Sequence, residues 1–376
     1  MSIGGRCYGS ESNIVKNDMD DFPVQAELVT ADWLSSALDV SHGKAVLENV
    51  TVVDAHSGTT GRARLSLDWS GDGQEHLPST VFLKLPPVEA DQQAMVVEEG
   101  MGVREARFYR ELSVEVPART LHSYYSNWSD DGTRYLMVME DIIASGGRPA
   151  SIASDCTLEV AEQLMDAFGA VHGRYWGSSR FKDELDWLQP FSIRSGYGRQ
   201  LVSSAVTEFS GQMPAVFTAA ADLYCQHNLA LADMFESGTP TLIHGDAHMG
   251  NLFLNVDHRV GFFDWALAAT MPGMWDVAYV LCNSFPPELR REHEDALLRR
   301  YIAGLSAAGG PSRSVDEVWG EYRLYALYPW IAAAATLGAG ERMQPREVAM
   351  RALNWSHTAL EDLQVIDYVR GLLNLD

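Results

Sequence analysis

Apolar and polar residues alternate in the first third of the chain, and the period then lengthens. Residues 47–53 and 63–69, the latter with Leu65, Leu67 and Trp69 in step, carry the period of two that predicts strands. Residues 81–85, Val81-Phe82-Leu83-Lys84-Leu85, predict a third strand that Pro86-Pro87 terminates. Its one lysine is costly to bury unless paired. Residues 134–142 predict a further buried strand, ending in Glu140 and Asp141. Helical spacing appears in residues 30–40, with Thr30 as N-cap, and in 103–112, with Phe108, Tyr109 and Leu112 inward. From 154 onward it dominates: 154–176, then 288–305, 314–337 and 346–373 predict a mainly helical second part.

Between these helices, residues 241–281 read as strand, loop, strand, turn, strand. His244-Gly245-Asp246 follows one short apolar run, Asn251 precedes the next, and Asp264 closes the third. Two carboxylates and an amide at the ends of short strands suit phosphoryl transfer. One carboxylate orients or deprotonates a hydroxyl, while the amide oxygen and the other carboxylate hold Mg²⁺ against phosphates. Asp246 takes the first role, Asn251 and Asp264 the second. Two other readings use the same residues. In one, His244 and Asp246 only satisfy backbone groups at the end of a core strand. In the other, His244, Asp246 and His248 alternate on one face and bind Zn²⁺ for hydrolysis. Upstream, Gly58, Thr59 and Gly61 sit in a small-residue hairpin whose backbone can approach phosphates closely.

The pattern H-G-D-x-x-x-x-N at His244, Gly245, Asp246 and Asn251, with Asp264 thirteen positions after Asn251, resembles the aminoglycoside phosphotransferase and choline kinase family, small-molecule relatives of the protein kinases. Gly245 stands where protein kinases carry an arginine, Asp264-Trp265-Ala266 stands for D-F-G, and there is no A-P-E segment, so protein substrates are disfavoured. The resemblance implies an α+β, bilobal protein-kinase-like fold: a small antiparallel β-sheet N-lobe over residues 23–140 and a larger, mainly helical C-lobe over 141–376. It implies that Glu105 pairs with Lys84 and so positions it on the ATP phosphates, and that main-chain groups of Glu140 and Ile142 contact the adenine. The aromatic stretch 187–224, with Trp187, Phe191, Tyr197, Phe209, Met213 and Phe217, would form much of an acceptor pocket. The reaction implied is transfer of the ATP γ-phosphate to a hydroxyl of a small molecule, assisted by Mg²⁺ with Asp246 as base. The alternatives are a catalytically silent nucleotide-binding module and the Zn²⁺ hydrolase. His172 reads as a packing histidine, and Asp276 as an N-cap or a brace for the catalytic loop.

Composition narrows the partners. With 376 residues the chain is long enough for two lobes, and its apolar content of 46% and charged content of 21% are ordinary. A net charge of -23 opposes binding to nucleic acid or an anionic membrane. Cys7, Cys156, Cys225 and Cys282 form no CxxC pair, which predicts reduced thiols and a cytoplasmic setting. Residues 1–22 are polar, lack the apolar segment of a signal peptide, and are expected to be mobile. The longest apolar run, 325–339, contains Pro329 and is too short to span a bilayer. The acceptor stays open: surplus acids fit an aminoglycoside, aromatics fit a choline-like amine, and the aromatic stretch leans towards a lipophilic or other small alcohol.

Overall fold

The computed structural model describes residues 21–38, 44–191, 193–340 and 344–375. Its first elements are α1 (Ala31–Ala37), β1 (Val46–Ser57), β2 (Gly61–Ser70), β3 (Thr80–Leu85), α2 (Ala90–Glu98), α3 (Met101–Arg107), β4 (Ser123–Trp128) and β5 (Tyr135–Glu140). There follow β6 (Arg148–Pro149), α4 (Ile152–Asp155), α5 (Leu158–Arg174), α6 (Gly196–Phe209) and α7 (Ala215–Glu236). Residues 241–283 supply β7 (Thr241–Ile243), β8 (Leu252–Leu254), β9 (Val260–Phe262), β10 (Ala269–Met271) and α8 (Met274–Asn283). The chain ends in α9 (Pro287–Ala307), α10 (Val315–Tyr325), α11 (Leu327–Ala339), α12 (Arg346–Asp362) and α13 (Val365–Leu372).

The first five strands form one antiparallel sheet in the order β1-β2-β3-β5-β4. Alternation gives it two distinct faces. Ala63, Leu65, Leu67, Val81, Leu83, Leu136 and Val138 point to one side, where they pack with Leu34 and Ala37 of α1. Thr30 caps α1 by accepting from the Trp33 amide at 3.2 Å. Intervening residues face the other way: Tyr135, Met137 and Met139 join the core that continues into the helical part. Lys84 is on that second face. The fold is therefore the bilobal one expected, a sheet-based N-terminal part and a mainly helical C-terminal part.

Several elements differ from the sequence reading. The helix over 103–112 begins at Met101, follows a separate helix α2, and changes to one turn of π-helix over Phe108–Leu112. Residues 314–337 divide into α10 and α11 at Ala326, and 346–373 divide into α12 and α13 where Gln364 takes a left-handed φ of 48°. The mobile start expected for 1–22 lies outside the described residues except at its end, where Phe22 is buried and its carbonyl accepts from Arg134 at 2.8 Å. Among the described residues no helix is long and apolar enough to cross a membrane.

Candidate active site

The loop after β7 is shaped by one residue without a side chain. Gly245 has φ 84°, and a Cβ there would stand 2.2 Å from the Leu267 carbonyl oxygen. Asp276, fully buried in the first turn of α8, holds this loop from below: its Oδ2 accepts from the His244 amide at 2.7 Å and its Oδ1 from the Gly245 amide at 3.0 Å. Gly273, not Asp276, occupies the N-cap of α8, so the brace is the role the geometry supplies. His172 is wholly buried, with Nε2 3.5 Å from Asp276 Oδ2 and Nδ1 3.1 Å from the Tyr301 hydroxyl. It packs behind the brace.

The His244 ring is tied on both sides. Nε2 donates to the Phe263 carbonyl at 3.0 Å and Nδ1 accepts from the Asp246 amide at 3.3 Å. Burial pushes its imidazole below the ordinary range, against the pull of Asp276 and Asp246, so it stays neutral in that tautomer. Both nitrogens are thereby used, which removes His244 from the Zn²⁺ set suggested by its alternation with Asp246 and His248. Nδ1 of His248 accepts from the Gly250 amide at 2.9 Å. Among the described residues no group of three or more His, Cys, Asp or Glu side chains is placed to hold a metal ion.

Asp246 itself is gripped at each oxygen. Asn251 Nδ2 donates to Oδ2 at 3.0 Å and to the Asp246 carbonyl at 2.9 Å, while the Tyr279 hydroxyl donates to Oδ1 at 2.8 Å. Burial pushes the Tyr279 phenol well above its ordinary pKa, which keeps its proton in place to donate. Asn251 precedes β8, whose Leu252 pairs with Phe262 of β9, and the Phe263 amide donates to the Asn251 carbonyl at 3.1 Å. The two-stranded turn thus brings Asn251 beside the residue that precedes Asp264.

Asp264 adopts φ 63° and ψ 59°, a left-handed conformation uncommon outside glycine. Its Oδ1 receives Lys84 Nζ at 2.7 Å, and Lys84 Nζ also lies 2.5 Å from Glu105 Oε2. The lysine, 4% exposed, is paired twice. Burial pushes the Glu105 carboxyl above its ordinary range in spite of Lys84. At Asp264 burial acts the same way, but the Lys84 and Arg62 charges outweigh it and hold the carboxyl below its usual range. Arg62 Nη2 stands 3.5 Å from Asp264 Oδ2. Two further contacts tie α3 and the π-helical turn after it to this segment: Phe108 stacks on Trp265, and Arg104 Nη1 donates to the Ala266 carbonyl at 2.9 Å.

The hairpin is tighter than its sequence suggested, with three residues, Gly58, Thr59 and Thr60, between β1 and β2. A Cβ on Gly58 would meet nothing within 4 Å, whereas one on Gly61 would stand 2.7 Å from the Pro86 carbonyl oxygen. Gly61 therefore answers to packing against the end of β3. At the end of β5, Glu140 donates its amide to the His122 carbonyl at 2.9 Å, and the Ile142 carbonyl accepts from Gly147 at 2.8 Å. Asp141 is buried, ion-paired with Arg64 Nε at 2.8 Å and accepting from Thr80 Oγ1 at 2.9 Å and the Ile143 amide at 3.1 Å. It is a cap and an ion-pair partner, not a solvated side chain.

Of the aromatic stretch 187–224, Phe191 packs near α8 and α11: its ring centroid is 5.3 Å from Trp275 and 5.6 Å from Tyr328, and Tyr328 is 5.4 Å from Tyr279. Trp187 instead carries Arg107 on its face at 4.9 Å, Phe209 and Phe217 are buried in the helical core, and Tyr197 is exposed. Arg62 and Tyr279 went unnoticed in the sequence. Tyr279 could have been found, because it lies three positions after Asp276 on one helical face.

A family model described as phosphotransferase enzyme family, APH, matches residues 73–325, well over half of the chain. The chain belongs to the APH phosphotransferase enzyme family. Among solved structures of similar fold is the GDP complex of aminoglycoside 2'-phosphotransferase-IIIa, with 12% identity, coverage of 88% of this chain and 99% of that one, and a TM-score of 0.52. Another is a candidate aminoglycoside phosphotransferase from Ralstonia eutropha, with 15% identity, 88% and 98% coverage, and a TM-score of 0.50. Choline kinase LicA from Streptococcus pneumoniae is also similar, at 13% identity, 88% and 98% coverage and a TM-score of 0.49. No curated protein matches the sequence. Identities this low carry the fold and nothing finer. The APH match begins at residue 73, so the 58–61 hairpin and Arg62 lie outside it.

Proposed function

We propose that this APH-family protein transfers the γ-phosphoryl group of ATP to a hydroxyl of a small molecule. The observation that carries the reading is the convergence of Lys84 and Asp264 at 2.7 Å across 180 positions of sequence, beside an Asp246 whose two oxygens are held by Asn251 and Tyr279. In this reading Asp246 orients the acceptor hydroxyl and takes its proton. Lys84, kept in place by Glu105, neutralises phosphate oxygens. Gly58, Thr59 and Gly61 form the hairpin over the phosphates, and the Ile142 amide and Glu140 carbonyl meet the adenine. The lobe boundary falls between residues 140 and 141.

The residues present fit a divalent cation. Asn251 spends its amide nitrogen on Asp246, which leaves its oxygen, and Asp264 offers a carboxylate whose partners are all cations. Mg²⁺ bound there would neutralise charge on the phosphates. Phe191, Trp275 and Tyr328 behind Tyr279 favour an uncharged, partly apolar alcohol as acceptor.

Thermal unfolding with and without Mg-ATP, for the wild type and Asp264→Ala, tests the site. Ligand at one hundred times its dissociation constant stabilises the native state by about 2.7 kcal/mol. The expected result is a Mg-dependent shift that the substitution weakens, followed by transfer to hydroxylated acceptors that Asp246→Asn abolishes. GTP belongs in the same screen, since one fold relative was solved with GDP. No shift at millimolar nucleotide would sink the reading. A shift without transfer to any acceptor would instead indicate a silent binding module.

A further inference from the structure

We propose that Arg62 is a second phosphate-binding residue, acting beside Lys84; the proposal rests on the nucleotide reading above. Arg62 is paired with Lys84 in the β2–β3 ladder. Paired residues of antiparallel strands project from the same face. Its neighbours Ala63 and Leu65 enter the core on the other side, so Arg62 shares the face from which Lys84 reaches Asp264. The two cations divide one carboxylate: Lys84 takes Oδ1 and Arg62 takes Oδ2.

They hold it differently. Lys84 is buried and bound by Glu105 at 2.5 Å, which fixes its position. Arg62 keeps 47% of its side chain exposed, and its contact with Asp264 is long, 3.5 Å. A contact of that kind contributes little and is given up at little cost. The guanidinium is nevertheless directed, because Nε donates at 3.3 Å to Oγ1 of Thr60, itself buried in the hairpin. One edge of the fork is thus anchored, and the other points at the carboxylate proposed to hold the cation. A planar fork with one loosely held edge suits phosphoryl oxygens better than a point charge does. When a nucleotide polyphosphate enters, Arg62 exchanges Asp264 for a phosphate oxygen, and Asp264 Oδ2 is released. His56, next along the same row of the sheet, does not share this role: its Nε2 is 3.0 Å from Asp54 and the side chain is 77% exposed.

The rival account makes Arg62 a brace on Asp264, the proposed cation ligand, and a brace would matter to ATP only when Mg²⁺ is present. Titration calorimetry on the full chain would compare ATP, with Mg²⁺ and with EDTA in its place, and adenosine for the wild type, Arg62→Ala and Arg62→Lys. Loss of a charge-assisted bond predicts ATP binding about tenfold weaker in Arg62→Ala. Adenosine binding should be unchanged, with Arg62→Lys between the two. Unaltered ATP affinity in Arg62→Ala would overturn the proposal. So would a loss confined to Mg²⁺, which marks a brace on Asp264, or a parallel loss of adenosine, which marks a wider structural role. A wild type that binds neither ligand would overturn the nucleotide reading itself, and this inference with it.

Discussion

Phe108 lies flat on Trp265, with ring centroids 4.0 Å apart and planes inclined by 9°. The first ring begins the π-helical turn after Glu105, and the second follows Asp264, so one stacked pair joins the helix that fixes Lys84 to the segment that Lys84 reaches. Both rings are buried. Phe108→Ala should therefore cost about 3–5 kcal/mol, as truncation of a buried aromatic does. Trp265→Phe, which keeps a ring in place, should cost less. Denaturant midpoints at unchanged slope would measure this; a loss below about 1 kcal/mol for Phe108→Ala would show that the stack is incidental.

The Asp276 brace gives a second expectation. Asp276→Ala would leave the His244 and Gly245 amides buried without acceptors, at roughly 1–3 kcal/mol each. Asp276→Asn keeps one acceptor oxygen and should lose about half as much. Equilibrium unfolding of both variants checks the ordering, and equal losses would mean that charge, not acceptor count, holds the loop.

Legibility in the sequence followed chemistry that is local. Lys84 stood out because a lone cation in an apolar strand needs a partner, and the spacing of Asp246, Asn251 and Asp264 could be read within one segment. Arg62 could not, because on an alternating strand it looks like any solvent-facing residue until the strand order places it opposite Lys84. β4, Ser-Tyr-Tyr-Ser-Asn-Trp, was missed because it carries neither a clean alternation nor an apolar run. β10, Ala269-Thr270-Met271, escaped because, unlike the equally short β7, β8 and β9, it carries no run of bulky apolar residues. The zinc reading of His244 and His248 failed for a related reason: alternation places side chains on one face only in an extended segment, and Gly245 at φ 84° bends this one.

Tyr279 gives an expectation for catalysis. Tyr279→Phe removes the donor to Asp246 Oδ1 and leaves the ring packed against Tyr328. A charge-assisted bond of roughly 1.5 kcal/mol corresponds to about a tenfold fall in kcat. Nucleotide affinity should not move, because no nucleotide group is assigned to Tyr279. Kinetics and calorimetry on one preparation separate the two, and a fall in nucleotide affinity equal to that in kcat would show that the phenol supports the whole site.

His357 should make stability depend on acid. It lies 4% exposed on α12, edge-on to Phe217 at 5.8 Å, and burial alone lowers its imidazole to about 4. In the unfolded chain the ring takes up a proton near pH 6.5. Between those values the unfolded state binds more protons than the native state, so stability rises with pH across that window and is lost as pH falls from 6.5 to 4. At about 1.4 kcal/mol per pKa unit, the full loss is on the order of 3 kcal/mol. His357→Leu should remove this component while leaving the contribution of the carboxylates. Unfolding free energies of both proteins at pH 7.5 and 5 then give the test. The gap between them should shift in favour of the variant as pH falls, and a constant gap would mean that His357 is not held neutral.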